Sequence, residues 1–196
     1  MIRVAILTVS DKSSRGERED RGGPAIREAL QRANLEWSEV AYRIVADEEQ
    51  EIAEALFHLS EREDVDLILT TGGTGLAPRD VTPQVTLDAI EYEVPGVAEA
   101  MRAASLRVTP AGMLSRGVAG VRNRTLIVNL PGSPKAVGEN LGAIAAALPH
   151  AISTLRGEVG EHLVQPGASP SEVSTHSPQP PLPGQGEGAK GVRVDP

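Results

Sequence analysis

Three short apolar runs set the terms on which this chain can fold: RVAILTV at residues 3–9, DLILTT at 66–71 and TLIVNL at 125–130. Runs this brief and this continuously aliphatic suit parallel strands covered on both faces, because neither side of such a strand is left polar for water. The segments between them have helical periodicity. Ile26, Ala29, Leu30 and Ala33 share one face, and Ile52, Ala55, Leu56 and Leu59 share another. A further helix is expected over 96–107. The last helix starts with Ser133 as N-cap and Pro134 in its first position, runs toward Leu155, and is kinked or broken by Pro149. WSEVAYRIV at 37–45 alternates as a strand does, and GVAG with VRNRT reads as a short hairpin leading into 125–130. The sum is one three-layer α/β/α sandwich with a mostly parallel central sheet over residues 1–160.

Past Gln165 the character changes. The last 32 residues hold seven prolines and five glycines among few apolar side chains. Such a segment cannot bury enough surface to offset the entropy of ordering it, so 161–196 is expected to be a disordered tail. Its PQPPLP run has the form of a polyproline docking motif.

Composition removes several classes of function. The formal net charge is −8, from 27 acidic against 19 basic residues, which argues against binding nucleic-acid backbones. Trp37, Tyr42, Phe57 and Tyr92 are too few aromatic rings for a base-stacking platform. The chain has no cysteine, so neither a disulfide nor a thiolate metal site is available. No stretch approaches the roughly 20 apolar residues of a membrane helix, and MIRVAILTVS lacks the basic start and cleavage site of a signal peptide. A cytoplasmic protein is expected.

In an open α/β sheet, ligands bind beyond the carboxyl ends of the parallel strands. Four polar loops fall there: SDKSSRGERED, ADEEQ, GGTGLAPRD and PGSPK. The third is the most telling. Gly72, Gly73 and Gly75 form either a tight structural turn or a nest of N–H groups for phosphate oxygens, with Thr74 adding a hydroxyl. A dinucleotide fingerprint fits poorly, since Pro78 stands where the third glycine should open a helix, and no P-loop sequence occurs. Asp47 with Gln50 has the form of a capping box, and Asp80 can brace the helix that starts at Thr82-Pro83. Alternatively, if both carboxylates face one cleft, they suit Mg²⁺ beside phosphates. Ser133, Pro134 and Lys135 make both a well-formed helix start and an anion site. Arg15, Arg18 and Arg21 sit among acids and read as solvated surface. The histidines show no metal-ligand spacing, and no serine has a nucleophile-elbow context.

TTGGTGLAPRDVTPQVT, MLSRGVAGVRNRTLIVNLPGSPKAV and the opening SDKSSRGERED followed by GP resemble, in order, the MogA/MoaB family of molybdenum-cofactor biosynthesis, which includes the G domain of gephyrin. The resemblance covers about residues 1–155. It implies a molybdopterin adenylyltransferase, which joins the AMP part of ATP to the terminal phosphate of molybdopterin with Mg²⁺. It places the essential aspartates at Asp47 and Asp80, both also metal-holding. Substrate binding falls to Ser10 and Asp11, to Gly72, Gly73, Thr74 and Gly75, to Ser115 and Arg116, and to Pro131, Gly132, Ser133 and Lys135. It further implies a homotrimer or hexamer and a MoeA-type molybdenum insertase as partner. A MoaB-type paralogue that binds molybdopterin without adenylating it, and a trimeric scaffold acting through the tail, are the alternatives. At one place the chain departs from the family pattern: Asp20-Arg21 is followed by Gly22-Gly23, where many relatives carry Ser-Gly.

Overall fold

The computed structural model describes residues 1–158, and the expected tail lies outside the described residues. Six strands form one sheet in the order β2-β1-β3-β6-β5-β4. They are β1 (Ile2–Val9), β2 (Trp37–Val45), β3 (Leu67–Thr71), β4 (Tyr92–Glu93), β5 (Ala119–Arg122) and β6 (Thr125–Leu130). β1 pairs in parallel with both β2 and β3, and β3 pairs in parallel with β6. β5 runs antiparallel to its neighbours β6 and β4. The three-layer, mostly parallel expectation therefore holds, with an antiparallel edge added. That edge begins at the expected hairpin, where Asn123 adopts the left-handed conformation (φ 53°) in the tight turn.

Among the described residues seven α-helices accompany the sheet: α1 (Asp11–Ser14), α2 (Gly22–Arg32), α3 (Glu49–Ser60), α4 (Thr82–Ala89), α5 (Pro95–Leu106), α6 (Pro134–Ile144) and α7 (Leu148–Arg156). Alternation along β1 divides the core. Ile2, Val4 and Ile6 pack with α2, α5, α6 and α7, whereas Ala5, Leu7 and Val9 pack with α3 and α4. Fully buried side chains such as Ile26, Leu56 and Leu141 each contribute about 1.5–3 kcal/mol of burial. The last helical stretch breaks as expected, but in the turn before Pro149. Residues Ala145–Ala147 form a 3₁₀ turn, and Pro149 occupies the first turn of α7. A proline ring collides with the carbonyl four residues earlier, so the α-helix must end near Ala145, while a first turn accepts the missing N–H.

The chain leaves β1 toward β2 on one side and leaves β3 toward β4, β5 and β6 on the other. The carboxyl ends of β1 and β3 are thus a switch point, where the outgoing loops splay apart and open a crevice.

Candidate functional site

The crevice is there. A cleft of about 580 Å³ lies at that switch point, between the loop after β1 and the glycine turns after β3 and β6. A larger hollow of about 770 Å³ sits around Asp66 at the opposite end of the sheet. Its Arg3 and Arg156 already grip Asp66, and Arg62 grips Asp64, so its cations are engaged within the protein.

The glycine turn has the shape its sequence demands. Gly72 has φ 103°, and a Cβ there would lie 2.2 Å from the Val9 carbonyl oxygen. Gly73 has φ 63°, and its Cβ would lie 2.3 Å from Thr82 Oγ1, a buried hydroxyl with no hydrogen-bond partner among the described residues. Both positions require glycine on conformation and on space together. The turn after β6 is seated against it: Gly132 approaches the Gly72 Cα, and the Thr71 hydroxyl donates to the Pro131 carbonyl at 2.8 Å. Gly22 is also explained, because a Cβ there would meet the Thr71 methyl at 2.5 Å.

Asp47 and Asp80 lie at the two ends of this turn. A Cβ on Gly73 would come within 3.3 Å of Asp47 Oδ1, and one on Gly75 within 2.8 Å of Asp80 Oδ2. Neither carboxylate caps the helix that follows it, which corrects the capping readings. The N-cap of α3 is Glu48 and that of α4 is Val81, and neither makes a side-chain cap bond. Asp47 instead accepts the Asp11 N–H at 2.8 Å, and Asp80 accepts the Ala77 N–H at 2.8 Å. Partner choice explains the difference: Asp47 finds the first amide of α1, across from its own helix, and Asp80 finds a loop amide. Burial raises the Asp47 carboxyl above its usual range. The Asp11 N–H opposes that rise, and the charges of Asp11 and Asp80 add to it.

The other expected positions divide between the cleft and its supports. Ser10 lines the cleft, caps α1 through Ser13 N–H and accepts from Arg18 at 3.2 Å. Asp11 is turned to Arg79. Thr74 is buried, and its carbonyl accepts the Arg116 N–H at 3.0 Å. Arg116 reaches back under the glycine loop, donating to the Gly75 carbonyl at 2.7 Å and to that of Asp80. Ser115 accepts the Gly117 N–H at 3.4 Å. Lys135 stands 80% exposed with Glu139 at 3.9 Å, off the cleft wall.

Ser133 caps α6, its hydroxyl accepting the Ala136 N–H at 3.2 Å. Ser133→Ala is expected to lower stability by about 1 kcal/mol, read as a lower urea midpoint at unchanged slope.

Two groups escaped the sequence reading. Arg18 and Arg21 line the cleft, whereas Arg15 pairs with Glu17 on the surface as expected. A basic residue every third position in a loop that follows a parallel strand was the available signal. Asp20 is the second. Burial alone would raise its carboxyl, but hydrogen bonds from Tyr42 at 2.6 Å, from the Gly23 and Gly22 N–H groups at 2.9 Å each and from Thr8 at 3.1 Å outweigh it and hold it low. Burial and the same Asp20 contact push the Tyr42 phenol up to about 12. The α2 N-terminus is therefore occupied by the chain's own carboxylate, and the other glycines that line the cleft are Gly72, Gly73 and Gly132 of the two turns.

Glycine turns, two arginines and Asp47 line a crevice at the switch point of an α/β domain, the place where domains of this class take small ligands, and Asp80 lies at the far end of the glycine turn. Residues 5–150 match the family model described as "Probable molybdopterin binding domain", and the chain belongs to that family. It is 41% identical over 167 residues to the molybdopterin adenylyltransferase of Helicobacter pylori strain J99, covering 84% of this chain and 95% of that protein. It is 38% identical over 168 residues to the enzyme of that name from Escherichia coli K12, covering 80% and 86%. The crystal structure of the molybdopterin biosynthesis enzyme MoaB from Thermus thermophilus superposes with a TM-score of 0.75 at 56% identity, covering 80% of this chain and 98% of that one. The resemblance read from the motifs is confirmed.

Proposed function

We propose that this chain is a molybdopterin adenylyltransferase, transferring AMP from ATP to the terminal phosphate of molybdopterin. One observation carries the reading: 41% identity to an enzyme of that name over 95% of its length. The cleft supports it. Main-chain N–H groups of the glycine turn form a nest for phosphate oxygens, and the α6 N-terminus favours negative charge. Arg18 and Arg21 bring positive charge to the opposite wall.

Asp47 and Asp80 would hold Mg²⁺. Two oxygen donors flanking one glycine turn fit an ion that takes few protein ligands and keeps several waters. Bound there, the ion neutralises charge on the ATP phosphates. An oxygen of the pterin phosphate attacks the α-phosphorus in line, the bond between the α-phosphorus and its bridging oxygen breaks, and pyrophosphate leaves. The nucleophile is already an anion, so no strong general base is required, and none of the described cleft-lining residues is histidine. The chain's own work is alignment and charge neutralisation.

The same reading makes the protein cytoplasmic, where ATP is plentiful, and a homotrimer or hexamer that hands its product to a MoeA-type insertase. Leu106 at the end of α5 and Val108, Met113 and Leu114 beyond it are exposed and supply apolar surface for self-association. Among the described residues no helix is long and apolar enough to cross a membrane.

The deciding experiment combines purified protein, ATP, Mg²⁺ and molybdopterin. Adenylylated molybdopterin and pyrophosphate are expected together, and neither when the pterin is omitted. Bound pterin with no product would establish the second reading, a paralogue that binds molybdopterin without adenylating it.

A further inference from the structure

Arg79 joins the two acidic arms of the cleft without lining it. Its guanidinium grips Asp11 with two prongs, Nε to Oδ2 at 2.8 Å and a terminal nitrogen to Oδ1 at 2.9 Å, and reaches Glu48 at 2.8 Å. Asp11 and Asp47 are themselves locked in exchange. The Asp11 N–H donates to Asp47 Oδ2 at 2.8 Å, and the Asp47 N–H donates to Asp11 Oδ1 at 3.1 Å. Arg79 also immediately precedes Asp80 in a tight turn, in which the Asp80 N–H donates to the Ala77 carbonyl at 2.9 Å. One unbroken path therefore runs from Asp80 through Arg79 and Asp11 to Asp47. It ties the loops after β1, β2 and β3 to one another.

We propose that Arg79 is a positioning residue: it clasps Asp11 and, through it, sets the spacing of Asp47 and Asp80 for the divalent ion. The inference rests on the adenylyltransferase reading and names the group that prepares its site. The physics is specific. Asp11 is in hydrogen-bond contact with Asp47 and shares Arg79 with Glu48, and without that cation the repulsion of these neighbouring acids would spread the loops that carry them. A guanidinium meets that need better than an ammonium, because its planar fork engages both oxygens of Asp11 at once and so fixes direction as well as charge. A solvent-exposed ion pair serving stability alone needs no such fork and no link to Asp47.

The test uses the full chain with Mn²⁺ as probe. Mn²⁺ binding followed by electron paramagnetic resonance, kcat and KM for molybdopterin, and thermal midpoint are measured for wild type, Arg79→Ala, Arg79→Lys and Asp11→Asn. Arg79→Ala is expected to weaken Mn²⁺ binding and lower kcat by about 10–100-fold, with KM for the pterin within about twofold. Arg79→Lys restores charge but not the fork, so it recovers only part of kcat. Asp11→Asn reproduces Arg79→Ala, and the double variant is no worse than either, because both break the same link. A lowered midpoint with Mn²⁺ affinity and kcat unchanged would mean an ordinary surface pair and overturns the proposal, as does full recovery with lysine. Wild type that binds Mn²⁺ but makes no adenylylated product removes the enzyme reading while leaving the clasp to be judged on Mn²⁺ affinity. Wild type that turns over with Arg79→Ala its equal removes the clasp alone.

Discussion

Asp80→Asn is expected to bind molybdopterin as the wild type does while its kcat for adenylation falls by about 10²–10³-fold, the cost of losing one charge-stabilising group in a preorganised site. Asparagine keeps the shape of aspartate and one acceptor oxygen, so the bond from the Ala77 N–H survives and the turn keeps its fold. What disappears is the negative charge at the far end of the glycine turn. On the proposed reading, pterin binding would draw on main-chain N–H groups and cleft arginines, which the substitution does not touch, and ATP with its divalent ion would draw on the carboxylate. Asp47→Asn should follow the same direction with an added cost, because the Asp47 carboxylate also holds the Asp11 N–H at 2.8 Å. Pterin fluorescence titration and chromatography of the adenylylated product give the two readouts. Binding and turnover lost together in a protein that keeps its circular dichroism spectrum would remove Asp80 from the chemistry and make it a fold residue.

Asp47 also marks where sequence reading stops. The three apolar runs announced β1, β3 and β6 because burial on both faces is a local property, written in consecutive residues. Ser133-Pro134 announced α6 because a cap and a first-turn proline are read from neighbours. The glycine cluster announced a loop with special backbone, and Gly72 and Gly73 proved to need positive φ. Asp47, by contrast, looked like a helix cap because Gln50 follows it at capping-box spacing. Its actual partner, Asp11, lies 36 residues away and meets it only once β1 and β2 are paired. Arg18 and Arg21 looked like surface for the same reason: the wall they face is built by residues near 72 and 132. The two-residue β4 left no periodic trace, since it exists only by pairing with β5. Local propensity was legible, and convergence across the sheet was not.

Asp66 shows the same limit at the other end of the molecule, and there it governs stability. Asp66, 3% exposed, ends the approach to β3, and its carboxylate accepts from Arg3 at 2.7, 2.8 and 3.0 Å and from Arg156 at 3.0 Å. Burial by itself would raise this carboxyl. The Arg3 and Arg156 hydrogen bonds outweigh it and hold the group well below the usual carboxylate range. The ties join β1, β3 and the end of α7, elements 63 and 90 residues apart. Breaking a buried pair by removing one partner costs roughly 3–5 kcal/mol. The arginine side chains are 35% and 24% exposed and regain water in part, so about 3 kcal/mol is expected for Asp66→Asn. For a domain of this size that is a fall of about 6–12 °C in thermal midpoint. The pH dependence separates this mechanism from lost packing. A carboxyl whose folded value is depressed stabilises the protein above its unfolded value, near 3.9, and that contribution drains away as pH falls below about 4. Wild type should therefore lose stability steeply in acid while Asp66→Asn, with nothing to protonate there, loses less, and the gap between them narrows toward pH 2. A gap that stays constant from pH 7 to pH 3 would mean that the aspartate acts through its shape, and that the charge held between the two arginines contributes nothing to the fold.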